Sequence, residues 1–353
     1  MIGQVLSLYG LDDSDCFISP FGNGLINHTW KIICGTNEFL LQRINHQIFR
    51  MPSDIMDNCR LLSDYFKSNH PDYLFVAPLT TIRDQNYVIE GDNYYRLFPF
   101  IENSYSNDTA TDPSLAFEAS KQFGKFTRLL STFDPDRLHI TLPGFHNLTL
   151  RFQEFEIALQ KGNKERIVQS AESILFVNDQ QFIVEVFEKI KNHPDFKRRV
   201  VHHDAKINNV LFDRRNNTGL CVIDLDTVMP GYYISDVGDM LRTYICPVSE
   251  EEKEFSKIII REEYFRETVN GYLSEMHSRL SEPEKQYFVY SGKFAIYMQA
   301  LRFLTDYLNN DIYYSIHYED HNLVRANNQI ELLKRFLEKE EILTEILKSC
   351  LTS

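Results

Sequence analysis

The chain has 353 residues, 43% hydrophobic and 13% aromatic, enough to bury a sizeable core and too apolar to stay disordered. Its formal net charge of −13 argues against non-specific binding to nucleic acid or to an anionic membrane, since both reward clustered Lys and Arg. Six scattered cysteines (Cys16, Cys34, Cys59, Cys221, Cys246, Cys350), with no CxxC pair, fit reduced thiols in a cytoplasmic protein rather than a disulfide frame or a zinc site.

The opening stretch, MIGQVLSLYGLDD, has no basic n-region, so no signal peptide is expected, and no apolar run reaches bilayer length. Apolar spacing up to about Tyr9 predicts a short leading helix. Phe17 to Phe21 reads as a strand entering the loop Gly22-Asn23-Gly24-Leu25-Ile26-Asn27, and Thr29 to Cys34 as the returning strand. Two glycines in a strand-loop-strand let backbone N–H groups approach phosphate oxygens, although Gly-Asn-Gly is also a common hairpin tip. A third strand, Phe39 to Arg43, ends in a cation that either faces a ligand or sits on an edge strand. Asp54 to Asn69 is helical by periodicity and holds no Glu. Strands are expected near Leu74–Leu79, Asn86–Glu90 and Tyr94–Ile101, the last running into Glu102-Asn103-Ser104.

From Asp112 the pattern is mainly helical: Pro113–Phe133, Phe152–Lys161, Glu165–Val177 and Asp179–Lys191, with a Gly/Pro/His loop over Pro143–Arg151. Glu250 to Phe255 reads as the solvated face of a helix, and Glu262–Met276, Glu282–Tyr307 and Asn327–Leu351 as further helices. His317, His321 and Arg325 fit a loop-to-helix boundary better than a metal site, and no zinc is expected.

Between these helices lies VVHHDAKINNVLF, Val200 to Phe212, followed by CVIDLDTVMPG, Cys221 to Gly231. The first carries His-x-Asp-x-x-x-x-Asn on His202, Asp204 and Asn209, and the second delivers Asp224 at the end of a β-branched run. Phosphoryl transfer needs a carboxylate to orient the attacking hydroxyl and accept its proton, and oxygen ligands to hold magnesium on the phosphates. Asp204 suits the first task; Asn209 and Asp224 suit the second. Each half alone could be a polar cap on a hairpin strand, whereas both together in this order favour the chemistry.

These two halves resemble the catalytic and metal-binding loops of the aminoglycoside phosphotransferase and choline kinase group, relatives of the protein kinases. Longer strings (PFGNGLINHTW, FLLQRIN, DAKINN, IDLDTVMPG, DVGDMLR, LRFLTDYLNNDIYY and HNLVR) resemble those of N-acetylhexosamine 1-kinases and extend from Pro20 to Arg325. The resemblance implies an α+β, protein-kinase-like two-lobe fold, with a small antiparallel sheet lobe over residues 1–101 and a larger helical lobe over 102–353. It implies ATP and Mg2+ as cofactors, with Gly22, Gly24, Asn27, Thr29, Arg43, Phe100 and Ile101 around the nucleotide. Catalysis would fall to Asp204, metal binding to Asn209 and Asp224, and sugar contact to Asp204, Arg302 and Tyr313. On residues alone, a salt bridge to Asp306 one turn later is the favoured reading of Arg302, and a core position is as compatible with Tyr313 as a sugar contact. Asp236 would bond backbone rather than ligand. The helix glutamate that pairs the strand cation in related kinases is missing, and Leu25 stands where a sugar-contacting histidine is found in the family. Choline, homoserine or an aminoglycoside as acceptor, and an inactive binding protein, are the competing readings.

Overall fold

The structure is a computed structural model that describes residues 2–22 and 27–352. A leading helix α1 (Ile2–Ser7) packs on an antiparallel sheet of β1 (Cys16–Pro20), β2 (His28–Cys34), β3 (Asn37–Ile44), β4 (Val88–Glu90) and β5 (Asn93–Pro99), with α2 (Pro52–Asn69) inserted after β3. The strand order is β1-β2-β3-β5-β4. Side chains alternate across each strand, so the sheet has two different faces. Leu41, Tyr95 and Leu97 point outward and form a small core with Val5 and Leu6 of α1. Leu40, Gln42, Arg96 and Phe98 point inward to a cleft.

The second lobe begins with β6 (Ser104–Tyr105) and α3 (Pro113–Leu129), then α4 (Leu148–Lys161), α5 (Lys164–Gln169), α6 (Ala171–Asp179) and α7 (Phe182–Lys191). Four short strands follow: β7 (Arg199–Val201), β8 (Val210–Asp213), β9 (Gly219–Val222) and β10 (Met229–Gly231). The chain ends in α8 (Ile234–Tyr244), α9 (Glu262–Met276), α10 (Glu282–Gln286), α11 (Phe288–Leu308), α12 (His321–Glu338) and α13 (Glu340–Thr352). This is the expected α+β kinase-like arrangement, a small antiparallel sheet beside a larger helical body. One large apolar core runs through the helical body and reaches Ile55, Cys59, Leu62 and Phe66 of α2. α11 is its axis: apolar nearly all round, it is buried over most of its length. α8 lies against it closely enough that a Cβ on Gly238 would stand 2.3 Å from the Ser291 carbonyl, so only glycine fits there.

Several expected elements differ. Leu74 to Leu79 is not a strand; its only ladder-like bond is Leu79 N–H to the Leu97 carbonyl, 2.7 Å. Glu250 to Phe255 is not a helix, and its acids are used in ion pairs: Glu250 with Arg242 at 2.8 Å and Glu251 with Arg325 at 2.5 Å. The cysteines are not all free thiols. Cys16 and Cys34 are cross-strand partners on β1 and β2 and form a disulfide, while the other four are free and buried. Spacing alone could not reveal this, because strand register brings the two together. Among the described residues no helix is long and apolar enough to cross a membrane.

Candidate active site

Two hairpin-like segments of the helical lobe build the floor of the cleft. β7 and β8 are buried, and the chain between them, His202 to Asn209, is held from below. The Asp236 carboxylate accepts the backbone N–H of His202 at 3.0 Å and of His203 at 2.7 Å, which fits its expected backbone role. His202 is fully buried, with its Nε2 2.9 Å from the Ile223 carbonyl, tying this loop to the one that carries Asp224. Two residues adopt the left-handed backbone region that side chains disfavour: His203 at φ 65° and Asp224 at φ 60°. Strain of this kind, about 1–3 kcal/mol per residue, persists where the surroundings over-determine it, and here it brackets the cleft. Gly231 on β10 makes room for the His203 ring, since a Cβ there would lie 2.6 Å from Nε2.

Asp204 leads the loop. Its carboxylate accepts from the Asn209 amide at 3.0 Å and pairs with the Lys206 ammonium at 3.0 Å. Burial works to raise its pKa, and the charge and hydrogen bond of Lys206, with His202 and Asn209, outweigh that and hold it below the ordinary value. Asp204 is therefore ionised and only partly shielded, as a proton acceptor must be. Asp224 behaves oppositely. Burial first, then the neighbouring charges of Asp226 and Asp204, push it up to about 7, against the pull of Arg96 and Lys206. Asn209 and Asp224 line the same cleft, and the Ile223 N–H bonds the Asn209 carbonyl at 2.9 Å. This pair of oxygen-bearing side chains, one an accessible carboxylate with acidic neighbours, suits a hard cation such as magnesium.

The cleft has a volume of about 550 Å³. Its lining mixes apolar side chains, among them Leu40, Phe98, Phe100 and Leu211, with the polar Lys31, Arg96, Asn209, Arg214 and Asp224. Such a lining fits a nucleotide, which carries both an apolar base and charged phosphates. A larger open cavity, about 1080 Å³, lies behind α2 and contains none of the motif residues. Phe100 stacks edge-on against Phe21 at 6.0 Å and lies 4.1 Å from Lys31 Nζ; the Ile101 carbonyl accepts from Ser104 Oγ at 2.5 Å. Gly22 is exposed at φ 73°, before a loop whose Gly24 and Leu25 lie outside the described residues. Thr29 stands opposite Gln42 on the cleft face and accepts from its amide at 3.3 Å.

Arg43, expected at the nucleotide, does not line the cleft. It follows Gln42 on β3, so the alternation of the strand turns it to the outer face, opposite Tyr95. A cation that does line the cleft is Arg96 on β5. Its Nη1 lies 2.6 Å from Asp226 Oδ1, and both residues are buried. Asp226 Oδ2 accepts from the Asn27 amide at 2.9 Å, linking the end of the glycine loop to the Asp224 segment. The helix acid is absent, as the sequence implied: Asn58 occupies the inner side of α2, bonding His139 and the Val228 carbonyl.

Arg302 projects from α11 on the other side of the catalytic loop. It makes no ion pair to Asp306. That carboxylate accepts the backbone N–H groups of Tyr313 (2.8 Å) and Tyr314 (2.9 Å) and the Asn322 amide (3.0 Å). The Arg302 guanidinium instead lies over the rings of Phe145 (4.9 Å), Tyr314 (5.4 Å) and Tyr313 (5.8 Å), with Gln299 Oε1 at 3.3 Å. Tyr313 is exposed rather than in a core. The route from Arg302 to Asp204 runs through rings: Phe145 stacks on His146 at 4.6 Å, and His146 meets His203 at 5.2 Å. Arg325 and His321 are held by Glu251, and Arg325 backs the cluster from behind, lying 5.5 Å from the Phe303 ring that packs on Tyr314.

Comparisons with known proteins agree with this layout. Among solved structures, the chain is similar to a microcompartment-associated aminopropanol kinase (13% identity, TM-score 0.62, covering 97% of this chain and 98% of that one). It is similar to a choline kinase from Cryptosporidium parvum Iowa II (15%, 0.57, 97% and 95%) and to a spectinomycin phosphotransferase in complex with ADP and spectinomycin (15%, 0.54, 97% and 94%). At these identities the likeness speaks for the fold. The profile of the phosphotransferase enzyme family matches residues 18–269, which contain the glycine loop, the catalytic loop and the Asp224 segment, and the chain belongs to that family.

Proposed function

We propose that this phosphotransferase is an ATP- and magnesium-dependent kinase of a neutral sugar, transferring phosphate to the anomeric hydroxyl of N-acetylglucosamine or N-acetylgalactosamine. The observation that carries the acceptor class is the setting of Arg302. Phe145, Tyr313 and Tyr314 are the kind of ring cluster that receives a quaternary ammonium, but a guanidinium of the chain itself already lies over them. A choline-like or polyamine acceptor would meet a like charge there. An uncharged polyol would meet a hydrogen-bond donor with no carboxylate partner, beside rings suited to a sugar face.

Bound magnesium nucleotide supplies the phosphoryl group and neutralises its charge. The rest falls to the chain. Asp204 accepts the proton of the acceptor hydroxyl and orients it, and Lys206 keeps that carboxylate ionised. Asn209 and Asp224 would hold the metal, and Gly22, Gly24, Asn27, Thr29, Phe100 and Ile101 would surround the nucleotide. Arg302 and Tyr313 position the ring. Catalysis then rests on positioning and charge compensation.

A coupled ADP-release assay over free N-acetylhexosamines, hexoses, choline and an aminoglycoside tests the reading. N-acetylhexosamines should turn over fastest, and the product should lose its reducing end. Preferred turnover of choline, or a product that stays reducing, refutes it.

A further inference from the structure

We propose that Arg96, paired with Asp226, is the cation that grips the nucleotide phosphates in this chain, the role having moved from β3 to the neighbouring β5. This rests on the nucleotide reading of the cleft given above. Gln42 and Arg96 stand directly opposite each other across the β3–β5 ladder, both on the cleft face. The Gln42 carbonyl oxygen accepts from Arg96 Nε at 2.9 Å and Nη2 at 2.5 Å, and Nη1 reaches Asp226 at 2.6 Å. A guanidinium has five N–H donors. These contacts engage three, leaving one on Nη1 and one on Nη2, and Asp224 lines the same cleft near enough for its charge to act on Arg96.

The other cations that line the cleft, Lys31 and Arg214, are already engaged. Lys31 pairs with Glu38 and lies over Phe100, and Arg214 bonds the Ser104 carbonyl and lies over Tyr105. Two departures from the related kinases then have one explanation. β3 presents Gln42 rather than a cation to the cleft, and α2 presents Asn58 rather than an acid. The ion pair that would span those positions is rebuilt one strand over, with Asp226 as the acid. The relocation adds a connection. Asp226 holds Asn27 with its second oxygen, and Asn27 in turn accepts the Asn45 N–H at 2.9 Å. One carboxylate thus fixes the end of the glycine loop, the phosphate-facing cation and the segment bearing Asp224 relative to each other.

The test is calorimetric titration of the full chain with MgADP, with thermal melting to check folding. Wild-type protein should bind. Arg96→Gln should weaken binding about 10- to 150-fold, the worth of one charge-assisted contact, and Arg43→Gln by less than about threefold. Removing Arg96 strands Asp226, so a second variant separates binding from folding. Gln42→Arg/Arg96→Gln exchanges the two opposed residues, keeps a guanidinium beside Asp226, and should recover affinity to within about tenfold of wild type. A folded Arg96→Gln that binds within threefold of wild type, an equal loss in Arg43→Gln, or a folded exchange variant without affinity overturns the proposal. Failure of the wild-type chain to bind MgADP would instead remove the nucleotide reading beneath it.

Discussion

Arg302 and Asp306 lie one turn apart on α11 and serve different purposes: the guanidinium sits over three aromatic rings, while the carboxylate caps the backbone of Tyr313 and Tyr314. Removing each should therefore give a different phenotype. Arg302→Ala should lower kcat/KM for the acceptor by about 10- to 150-fold, the loss of roughly 1.5–3 kcal/mol, and leave the nucleotide KM unchanged. Asp306→Ala should cost about 1–3 kcal/mol of stability, since two partly buried N–H groups and the Asn322 amide lose their acceptor. Steady-state kinetics beside denaturant melts would separate the two; equal destabilisation by both would restore the pair as a structural unit.

Asp204→Asn should lower kcat by roughly 10²–10⁴ while nucleotide affinity changes little. The amide cannot take the proton, and the Lys206 ammonium loses its counter-charge. Single-turnover kinetics with a parallel MgADP titration would check both halves of this statement.

Asp224→Ala should erase the difference between nucleotide titrations with and without magnesium. Asp226 is no substitute ligand, because Arg96 and Asn27 already occupy its two oxygens. Persisting magnesium dependence in the folded variant would place the metal elsewhere.

The contribution of His203 to stability should be lost as pH drops from 6.5 towards 4, while the raised carboxyls of Asp224 and Asp236 act in the opposite sense, so the readout is the difference in slope between wild type and a His203 variant. Burial is the main cause that depresses His203 to about 4, against the opposing pull of the Val201 carbonyl. Above 6.5 the ring is neutral in both states. Below it the unfolded chain takes up a proton that the folded chain refuses, at a cost of at most about 3 kcal/mol. His146, lowered first by burial and then by His203 and Arg302, acts in the same direction. His203→Asn, which tolerates the left-handed backbone, should flatten part of the slope in urea melts at pH 4, 5, 6 and 7. An unchanged slope would show that His203 does not contribute.

That the segment ending in Asn209 and the one bearing Asp224 come together was legible because the pattern is local: residue types at short spacing between apolar strands. Long helices such as α2, α9 and α11 were legible from periodicity for the same reason. What escaped depends on the other strand or the other lobe. Arg96 is a single arginine in an apolar strand, and only the β3–β5 register shows that it, and not Arg43, faces the cleft. The Cys16–Cys34 disulfide likewise follows from register. Lys206 carried a readable signal, a cation two residues after the candidate base. The Arg302–Asp306 pair was wrong because helical spacing permits a contact without requiring it, and main-chain N–H groups from the following loop claimed the acid first.

That loop, from Asn310 to Asp320, is secured at its root: Asp306 holds two of its amides, Asn322 braces Asp306, and Arg325 donates to the Ser315 carbonyl at 3.1 Å. None of these bonds uses the side chains of Ile312, Tyr313 or Ile316, which are all exposed. Where Tyr313 holds the acceptor as proposed, such a construction separates the evolution of substrate range from the maintenance of the fold. Side chains at the rim can be exchanged generation by generation, at little cost in stability, while the scaffold that presents them stays in place. A library randomised at those three positions should stay folded in most members and diverge chiefly in which acceptors it accepts.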